Sequence, residues 1–235
     1  MNAASKRDRV ALIVGASRGL GLGLVREYLA RGWSVIATER VAGGSPALAE
    51  LRGQGGARLT LDVVDIAQPE QIRALAGRLA GVTLDLLFVN AGIADDASKP
   101  IGELTTEDFV NLLCTNALGP MRVVEWLGGG VKPDGTIAVM TSGLGSVGMD
   151  PPAGYEAYGA SKAALNRLMR GYAVRAGAGR SLLAVMPGWV RTDMGGSAAP
   201  LDVDTSVAGI ADAIAARAGQ PGLHFIDYTN AELPW

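Results

Sequence analysis

Residues 10–21, VALIVGASRGLG, decide the fold of this chain. The first five residues are all apolar, as expected of a short strand that is buried on both faces of a sheet. Gly15, Gly19 and Gly21 follow, directly before a helical pattern that includes Leu24. A glycine-rich turn between a strand and a helix lets backbone N–H groups approach a pyrophosphate. Three spaced glycines are a weak signal in a chain with 33 of them, but their place between strand and helix favours a dinucleotide-binding unit.

Strand-like and helix-like segments alternate from this unit to the end of the chain. Short apolar runs predict six more strands, at residues 34–38, 58–63, 84–90, 136–141, 181–186 and 223–228. Helices are predicted at residues 69–79, 106–127, 158–175 and 205–217, with a short one within 43–56. Such alternation implies right-handed crossovers and a parallel sheet that is covered on both faces. We predict an α/β, doubly wound (Rossmann) single domain with a roughly seven-stranded sheet at residues 10–235, after a flexible tail at residues 1–9.

Composition restricts the classes of function. Of the 235 residues, 49% are hydrophobic and 19% are charged, so the chain can bury a sizeable core. The formal net charge is -2 and no long basic run occurs, which argues against a nucleic-acid partner. No apolar run is long enough to span a membrane, and the polar N-terminus is unlike a signal peptide. Because Cys114 is the only cysteine, no disulfide can form within the chain, and we expect a cytoplasmic protein.

His224 is the only histidine of the chain. A histidine-based metal site and a Ser-His-Asp hydrolase are therefore both unexpected, and no metal is predicted. We expect His224 to be a surface or packing residue near the last strand, and Cys114 to be a buried structural residue within a helix.

The end of the second strand bears on which dinucleotide the chain binds. Glu39 lies where a carboxylate can accept hydrogen bonds from both hydroxyls of the adenosine ribose, which favours NAD. Arg40 follows at once and Arg18 lies within the glycine turn, and both guanidinium groups can pair with a 2′-phosphate. These signals conflict, because a carboxylate repels a phosphate. Since two guanidinium groups can outweigh one carboxylate, we favour NADP(H) over NAD(H).

Two further strand ends contribute to the predicted dinucleotide site. Asp62-Val63 ends the third strand, where an aspartate can accept a hydrogen bond from the adenine amino group. Asn90-Ala91-Gly92 ends the fourth strand, where small residues let the backbone pass close to a cofactor. Ordinary loop structure is the alternative explanation for each of these two segments.

The strongest chemical signal is YGASK at residues 158–162. A spacing of four places Tyr158 and Lys162 on the same face of a helix. A phenol has an ordinary pKa of about 10, and a neighbouring ammonium favours the phenolate, so the pair can act as acid and base near neutral pH. A surface tyrosine–lysine pair is the alternative, which the glycine turn and a strand ending in Thr141-Ser142 disfavour.

Over essentially its whole length, the chain resembles the short-chain dehydrogenase/reductase family. The residues that carry the resemblance are GASRGLG (15–21), Asp62-Val63, NAG (90–92), Asn116, Ser142, YGASK (158–162) and PGWVRTDM (187–194). Within the family, the chain is most similar to the C-factor/sniffer-like branch of carbonyl reductases, on TSGLGSVG (141–148), PGWVRTDMGG (187–196) and ELPW (232–235). The resemblance implies hydride transfer between a nicotinamide dinucleotide and a small or medium carbonyl or alcohol.

The resemblance also implies roles for individual residues. Tyr158 would exchange a proton with the substrate oxygen, to which Ser142 would hydrogen-bond. Lys162 would lower the pKa of Tyr158 and hold the nicotinamide ribose, and Asn116 would hold a water that links Lys162 to solvent. Besides Tyr158, Lys162 and the strand-end residues given above, the implied cofactor-binding residues are Gly15, Ser17, Arg18, Gly19, Leu20, Gly21, Pro187, Gly188, Val190 and Thr192.

The chain departs from the family pattern at several positions. Val14 replaces the usual threonine before the first glycine, and Val89 replaces a common second asparagine, so two polar groups are lost. The stretch from Ser142 to Tyr158 is longer than usual, which leaves Ser146 as an alternative for the serine role. A dinucleotide-binding regulatory or signalling protein of C-factor type, with little turnover, is the alternative to an active enzyme.

The substrate and the assembly are less constrained by the sequence. A lid is expected to begin at residues 194–196, where glycines permit movement, and the segment that follows is poor in charge. We therefore expect a small or medium apolar carbonyl substrate. Apolar residues beyond one face of the helix at 158–175, together with the family resemblance, predict a homo-oligomer, either a dimer or a tetramer, formed through this helix and the one at 106–127.

Overall fold

The computed structural model of the protein describes residues 9–96, 98–150, 153–176 and 179–235. The strands are β1 Val10–Val14, β2 Ser34–Glu39, β3 Leu59–Val63, β4 Leu84–Val89, β5 Val131–Met140, β6 Ser181–Met186 and β7 Gly222–Asp227. The helices are α1 Gly19–Ala30, α2 Pro46–Gly55, α3 Pro69–Arg78, α4 Thr106–Leu113, α5 Gly119–Leu127, α6 Glu156–Ala176 and α7 Val203–Arg217. Apart from Arg9, the predicted N-terminal tail lies outside the described residues.

The seven strands form one sheet in the order β3-β2-β1-β4-β5-β6-β7, and every neighbouring pair is parallel. This is the doubly wound topology predicted from the alternation of strands and helices, and the predicted fold class is confirmed. The order reverses between β1 and β4, so the connections from these two strands diverge to opposite faces of the sheet. Ligands of open parallel sheets bind in the crevice at such a switch point.

The core lies on both faces of the sheet. Ile13 of β1 packs in a cluster with Val25 of α1 and Ile210 of α7, whereas its neighbour Leu12 packs in a cluster with Val124 of α5 and Leu165 of α6. Successive side chains of a strand point to opposite faces, so a strand between two helical layers must be apolar throughout. The uninterrupted apolar sequence of β1 has this cause.

The helix predicted at residues 106–127 is interrupted. Thr105 caps the start of α4 by accepting a hydrogen bond of 3.1 Å from the Asp108 N–H. Between α4 and α5, residues Cys114–Leu118 form a π-helical turn. Pro120 has no N–H, so the α-helical bond to the carbonyl of Asn116, four residues earlier, cannot form. Such π turns are frequent at functional sites.

Other boundaries and placements differ less from expectation. β5 begins at Val131 rather than at residue 136, with a register shift against β4. Cys114, expected to be buried, is only partly buried. His224 lies on β7, where Nδ1 is 2.8 Å from Oε1 of Glu232. No helix within the described residues is long and apolar enough to cross a membrane.

Candidate active site

The turn after β1 touches the loop after β4. A Cβ added at Gly15, which has a φ of 85°, would lie 2.7 Å from the backbone of Ala91. Asn90 Nδ2 donates a hydrogen bond of 2.7 Å to the Gly15 carbonyl. A Cβ at Gly21 would lie 2.0 Å from the same carbonyl oxygen. Glycine is therefore required at both positions, and Asn90 fastens the turn to the neighbouring strand end.

The start of α1 presents free hydrogen-bond donors. The N–H groups of Gly19, Leu20 and Gly21 open the helix and have no intrahelical acceptor. Arg18 precedes the helix without a side-chain cap, and the first turn contains no acidic residue. The positive end of the helix dipole points the same way. Because extra Cβ atoms would fill the turn and the donors are uncommitted, this site fits the pyrophosphate of a dinucleotide.

Glu39, at the end of β2, holds the segment that follows it. It is only 5% exposed, and its carboxylate accepts hydrogen bonds from the N–H groups of Gly43 at 2.6 Å and Ser45 at 3.0 Å. Ser45 in turn donates a hydrogen bond of 2.6 Å to the carbonyl of Ser17 in the glycine turn. Both oxygens of Glu39 are thus engaged in supporting the turn.

Two arginines, Arg18 and Arg40, lie near Glu39 in the sequence or in the glycine turn that Ser45 binds. Arg18 forms an ion pair of 2.6 Å with Asp193, and both side chains are more than 70% exposed. Arg40 is exposed and forms no ion pair with any other described residue. Since surface ion pairs are weak, Arg18 can exchange Asp193 for another anion at little cost.

Asp62 and Val63 are the last two residues of β3. The Asp62 carboxylate forms an ion pair of 2.7 Å with Arg78 and accepts a hydrogen bond of 2.7 Å from the Val63 N–H. The Asp62 side chain is 18% exposed, so most of it is covered.

Lys162 is almost completely buried. It is 2% exposed, its Nζ donates a hydrogen bond of 2.9 Å to the carbonyl of Met140, and it lies 5.6 Å from the ring centroid of Tyr158. Burial disfavours the charged form and lowers the pKa of Lys162 to about 8. The predicted pairing of Tyr158 and Lys162 on one face of α6 is therefore present.

Tyr158 lies in a setting that keeps its phenol protonated. Burial raises the pKa of Tyr158 to about 12, while hydrogen bonding to the Ser142 hydroxyl acts in the opposite direction, and the neighbouring Tyr155 and Asp95 raise it further. One carboxylate oxygen of Asp95 is buried with no hydrogen-bond partner among the described residues. The net lowering of this pKa that we expected from Lys162 is not found, because desolvation dominates.

Asn116 connects two parts of the site. It is fully buried in the π turn, and its side chain exchanges two 2.8 Å hydrogen bonds with the backbone of Ile93 and donates one of 2.9 Å to Ser161 Oγ. A Cβ at Gly92 would lie 3.1 Å from Asn116 Oδ1 and 3.3 Å from Lys162 Nζ. The Asn116 side chain is thus engaged in hydrogen bonds within the protein.

The segment after β6 lies beside the glycine turn. Pro187 and Gly188 leave the strand with a φ of 83° at the glycine, and Val190 forms a bridge with Leu201. A Cβ at Gly19 would contact the Thr192 side chain at 3.4 Å. The implied nicotinamide-binding segment and the glycine turn therefore border the same crevice.

Hydrogen bonds hold the first residues of the predicted lid in place. The Gly195 N–H donates a hydrogen bond of 3.1 Å to Thr192 Oγ1, and a Cβ at Gly195 would lie 2.0 Å from the Val190 carbonyl oxygen. Trp189 Nε1 also donates a hydrogen bond of 2.8 Å to the Gly195 carbonyl. The first glycine of the expected hinge is therefore part of a tight turn.

The structure separates the two candidate serines and adds supporting residues. Ser146 donates a hydrogen bond of 2.6 Å to the Pro234 carbonyl, whereas Ser142 is the serine beside Tyr158. Sequence reasoning missed Thr38, whose Oγ1 accepts a hydrogen bond of 3.1 Å from the Gly15 N–H. Its position one residue before Glu39 was the available signal, because parallel strands end at the same edge of the sheet.

The dinucleotide cradle and the Tyr158–Lys162 pair lie at the same edge of the sheet and together define a nicotinamide-dependent oxidoreductase. No cluster of three or more His, Cys, Asp or Glu side chains that could hold a metal occurs among the described residues. The chain belongs to the short chain dehydrogenase family, whose model matches residues 9–201.

Individual proteins show how close the relationship is. C-signal of Myxococcus xanthus is 33% identical over 167 residues, which are 70% of this chain and all of C-signal. A Burkholderia multivorans structure with bound NADP is 47% identical with a TM-score of 0.94, covering 97% of this chain and 100% of that one. A carbonyl reductase from Pseudomonas aeruginosa PAO1 in complex with NADP is 41% identical with a TM-score of 0.90, at the same coverage. The predicted family is confirmed, and the similarity to C-signal and to a carbonyl reductase agrees with the predicted resemblance to the C-factor/sniffer-like branch.

The buried charge of Lys162 predicts a pH-dependent stability. Its folded pKa of about 8 lies below the ordinary 10.5, so between these values the unfolded chain binds the extra proton and the free energy of unfolding rises with pH. We expect Lys162→Met to lack this rise. At pH 7 it should be more stable than the wild type by on the order of 1 kcal/mol, because the lost hydrogen bond to the Met140 carbonyl offsets part of the roughly 3 kcal/mol that burial of the charge costs. Denaturant titrations across the range at fixed salt measure both quantities. Tyr158→Phe is the control and should keep the rise, since the raised pKa of Tyr158 affects stability only above its ordinary value of 10. If Lys162→Met retains the rise, Lys162 is not the group that causes it.

Proposed function

We propose that the protein is a cytoplasmic reductase that transfers a hydride from NADPH to a small or medium carbonyl compound, with Tyr158 as the proton donor. The observation that carries the proposal is the partly buried phenol of Tyr158, which lies beside the Ser142 hydroxyl and has its ring centroid 5.6 Å from the Nζ of the buried Lys162. A positioned acid beside a hydroxyl donor is what protonation of a developing alkoxide requires.

The protein's own residues would perform the proton chemistry. Bound NADPH supplies the hydride. Ser142 orients the carbonyl oxygen, and Tyr158 gives that oxygen its proton as negative charge develops there. Lys162 holds the nicotinamide ribose and draws a replacement proton through a water on the backbone carbonyl of Asn116. The glycine turn holds the pyrophosphate, and Pro187 to Thr192 border the nicotinamide.

The protonation state of Tyr158 suits the proposed role of proton donor. A phenol whose pKa is raised to about 12 is protonated at neutral pH, so it is ready to donate a proton to a carbonyl oxygen. Oxidation of an alcohol would need the phenolate as the base, which burial disfavours. At neutral pH Tyr158 is therefore already in the form that reduction needs, whereas oxidation would first need its proton removed.

The choice of NADPH rests on charge at the adenosine end. Arg40 is exposed and has no ion-pair partner within the described part of the chain, and Arg18 has only an exposed one. Glu39, the residue that favoured NAD, directs both oxygens at backbone N–H groups. The NADP bound to the Burkholderia and Pseudomonas relatives is consistent with this choice.

The substrate is proposed to be small or medium and largely apolar. A cavity of about 350 Å³ lies between the loop after β5 and the start of α6. Its lining residues are Leu144, Ala153, Gly154, Tyr155, Glu156, Gly159 and Ala160. The lining includes neither Ser142 nor Tyr158, so this space would take a substituent beside the reacting carbonyl group. Glu156 is the only charged lining residue, and an apolar substituent therefore fits better than a charged one.

A regulatory role with little turnover is the second candidate, and the similarity to C-signal is the observation that favours it. It requires neither the proton donor nor the Ser142 contact. The intact set of Asn116, Ser142, Tyr158 and Lys162 therefore favours turnover, and an assay of ketones, aldehydes and quinones with NADPH distinguishes the two candidates.

Tyr158→Phe is expected to lower kcat by at least about 100-fold, because it removes the acid and keeps the ring. NADPH affinity should stay within about twofold of the wild-type value, since every other implied cofactor-binding residue, from the glycine turn to Thr192, is unchanged. Steady-state kinetics and fluorescence titration of NADPH measure these quantities. Tyr172→Phe, on the same helix, is the matched control and should keep full activity. A Tyr158→Phe enzyme with more than about a tenth of wild-type kcat would refute the role.

Arg40→Ala is expected to weaken NADPH binding by about 10- to 100-fold and to leave NADH binding nearly unchanged, because a charge-assisted contact to the 2′-phosphate is lost. Titrations of both cofactors at fixed salt measure the difference. Arg26→Ala removes the same charge from the exposed surface of α1 and serves as the control. If the wild type binds NADH at least tenfold more tightly than NADPH, the cofactor assignment is wrong.

We also propose a homodimer or tetramer formed through α4 and α6. Val110 on α4 and Leu168 and Val174 on α6 are exposed by 49%, 44% and 92%. Sedimentation velocity at micromolar concentration should give two or four times the 24.1 kDa chain mass, and Leu168→Glu combined with Val174→Glu should give the monomer. Val41→Glu, an equally drastic change at an exposed valine elsewhere, should keep the assembly, and a wild-type monomer would overturn this proposal.

A further inference from the structure

The loop that carries Ser142 lies directly against α6. A Cβ added at Gly145 would be 2.8 Å from the backbone of Lys162, and one at Gly159 would be 2.9 Å from the Leu144 carbonyl oxygen. Loop and helix therefore meet backbone to backbone at two glycines. This contact sets the distance between loop and helix, and hydrogen bonds can then fix the position of the loop along the helix.

Asn166 supplies these hydrogen bonds. It is 4% exposed, its Oδ1 accepts a hydrogen bond of 2.8 Å from Thr141 Oγ1, and its Nδ2 donates one of 3.1 Å to the Gly145 carbonyl. It follows Lys162 by four residues and Tyr158 by eight, so all three side chains share one face of α6. One amide thus binds both sides of the segment in which Ser142 lies.

The orientation of Ser142 depends on this segment. Ser142 Oγ accepts a hydrogen bond of 3.2 Å from the Leu144 N–H, which leaves its own proton free to point away from the loop toward Tyr158 and the substrate oxygen. A displacement of about 1 Å in a positioning group can cost about 100-fold in rate. The far end of the loop is held separately, by the bond from Ser146 to Pro234.

We infer that Asn166 is a positioning residue that fixes Ser142 against Tyr158 by binding Thr141 and Gly145 at the same time. This inference rests on the proposed reductase function. Among the described residues Asn166 forms no hydrogen bond with the glycine turn or with the phenol, so we expect its effect on the rate to pass through Ser142. Helix α6, which carries Tyr158 and Lys162, thereby also carries Asn166, the residue that positions Ser142.

A double-mutant cycle tests this route. Asn166→Ala is expected to lower kcat about tenfold or more while the Kd for NADPH stays unchanged, and to lower it no further when Ser142→Ala is already present. Leu165→Val, which disturbs the adjacent core position of the same helix, is the control for lost stability and should keep kcat. Full activity of Asn166→Ala, or an equal loss in both backgrounds, would overturn the inference.

Crystal structures provide a test that needs no turnover. In Asn166→Ala, the separation between Ser142 Oγ and Tyr158 Oη should increase by about 1 Å or spread over several positions, whereas an unchanged separation would overturn the inference. If Asn166→Ala does not fold, Thr141→Val removes one of the two bonds and enters the same cycle, with a several-fold loss expected. A wild type that reduces no carbonyl compound defeats the proposed function, whereas a moved Ser142 still supports the role of Asn166.

Discussion

The contact between Gly15 and Ala91 leaves no room for one additional carbon atom, and the functional end of the molecule is arranged around it. β1 and β4 are neighbours in the sheet, but α1 and α5, which lie beyond them, pack on opposite faces. The crevice between these helices can bind a dinucleotide only if the two strand ends close together beneath it. The hydrogen bond from Asn90 to the Gly15 carbonyl completes that closure.

Buried polar groups extend this arrangement to the reacting residues. Three buried polar side chains of the site bind backbone: Lys162 binds the Met140 carbonyl, Asn116 binds Ile93, and Glu39 binds the turn after β2. Burying polar groups is costly unless they are hydrogen-bonded, so these contacts join separate loops into one rigid unit. The same desolvation sets the pKa of Tyr158 and of Lys162 in opposite directions, since one is neutral and the other charged when protonated.

The local pattern of the sequence predicted most of the elements. Apolar runs such as 10–14 and 181–186 correspond to strands with the predicted bounds, because strands covered on both faces must be apolar throughout. The π turn at Asn116 was not predicted, although Pro120 signals a missing helical bond four residues earlier. The hydrophobic periodicity of a helix indicates which face is buried. It carries little information about a single displaced backbone hydrogen bond, such as the one in this π turn.

The sequence by itself determined the fold class, the glycine turn and the Tyr158–Lys162 pair, because each depends on residues close together along the chain. Only the tertiary structure decided that Glu39 supports a turn, that Ser146 binds Pro234 while Ser142 faces Tyr158, and that Asn166 joins loop to helix. These contacts join residues that are separated along the chain or that have several possible partners of similar chemistry. Which partner is bound depends on the distances and the burial that tertiary packing produces, and no pattern in the sequence encodes either quantity.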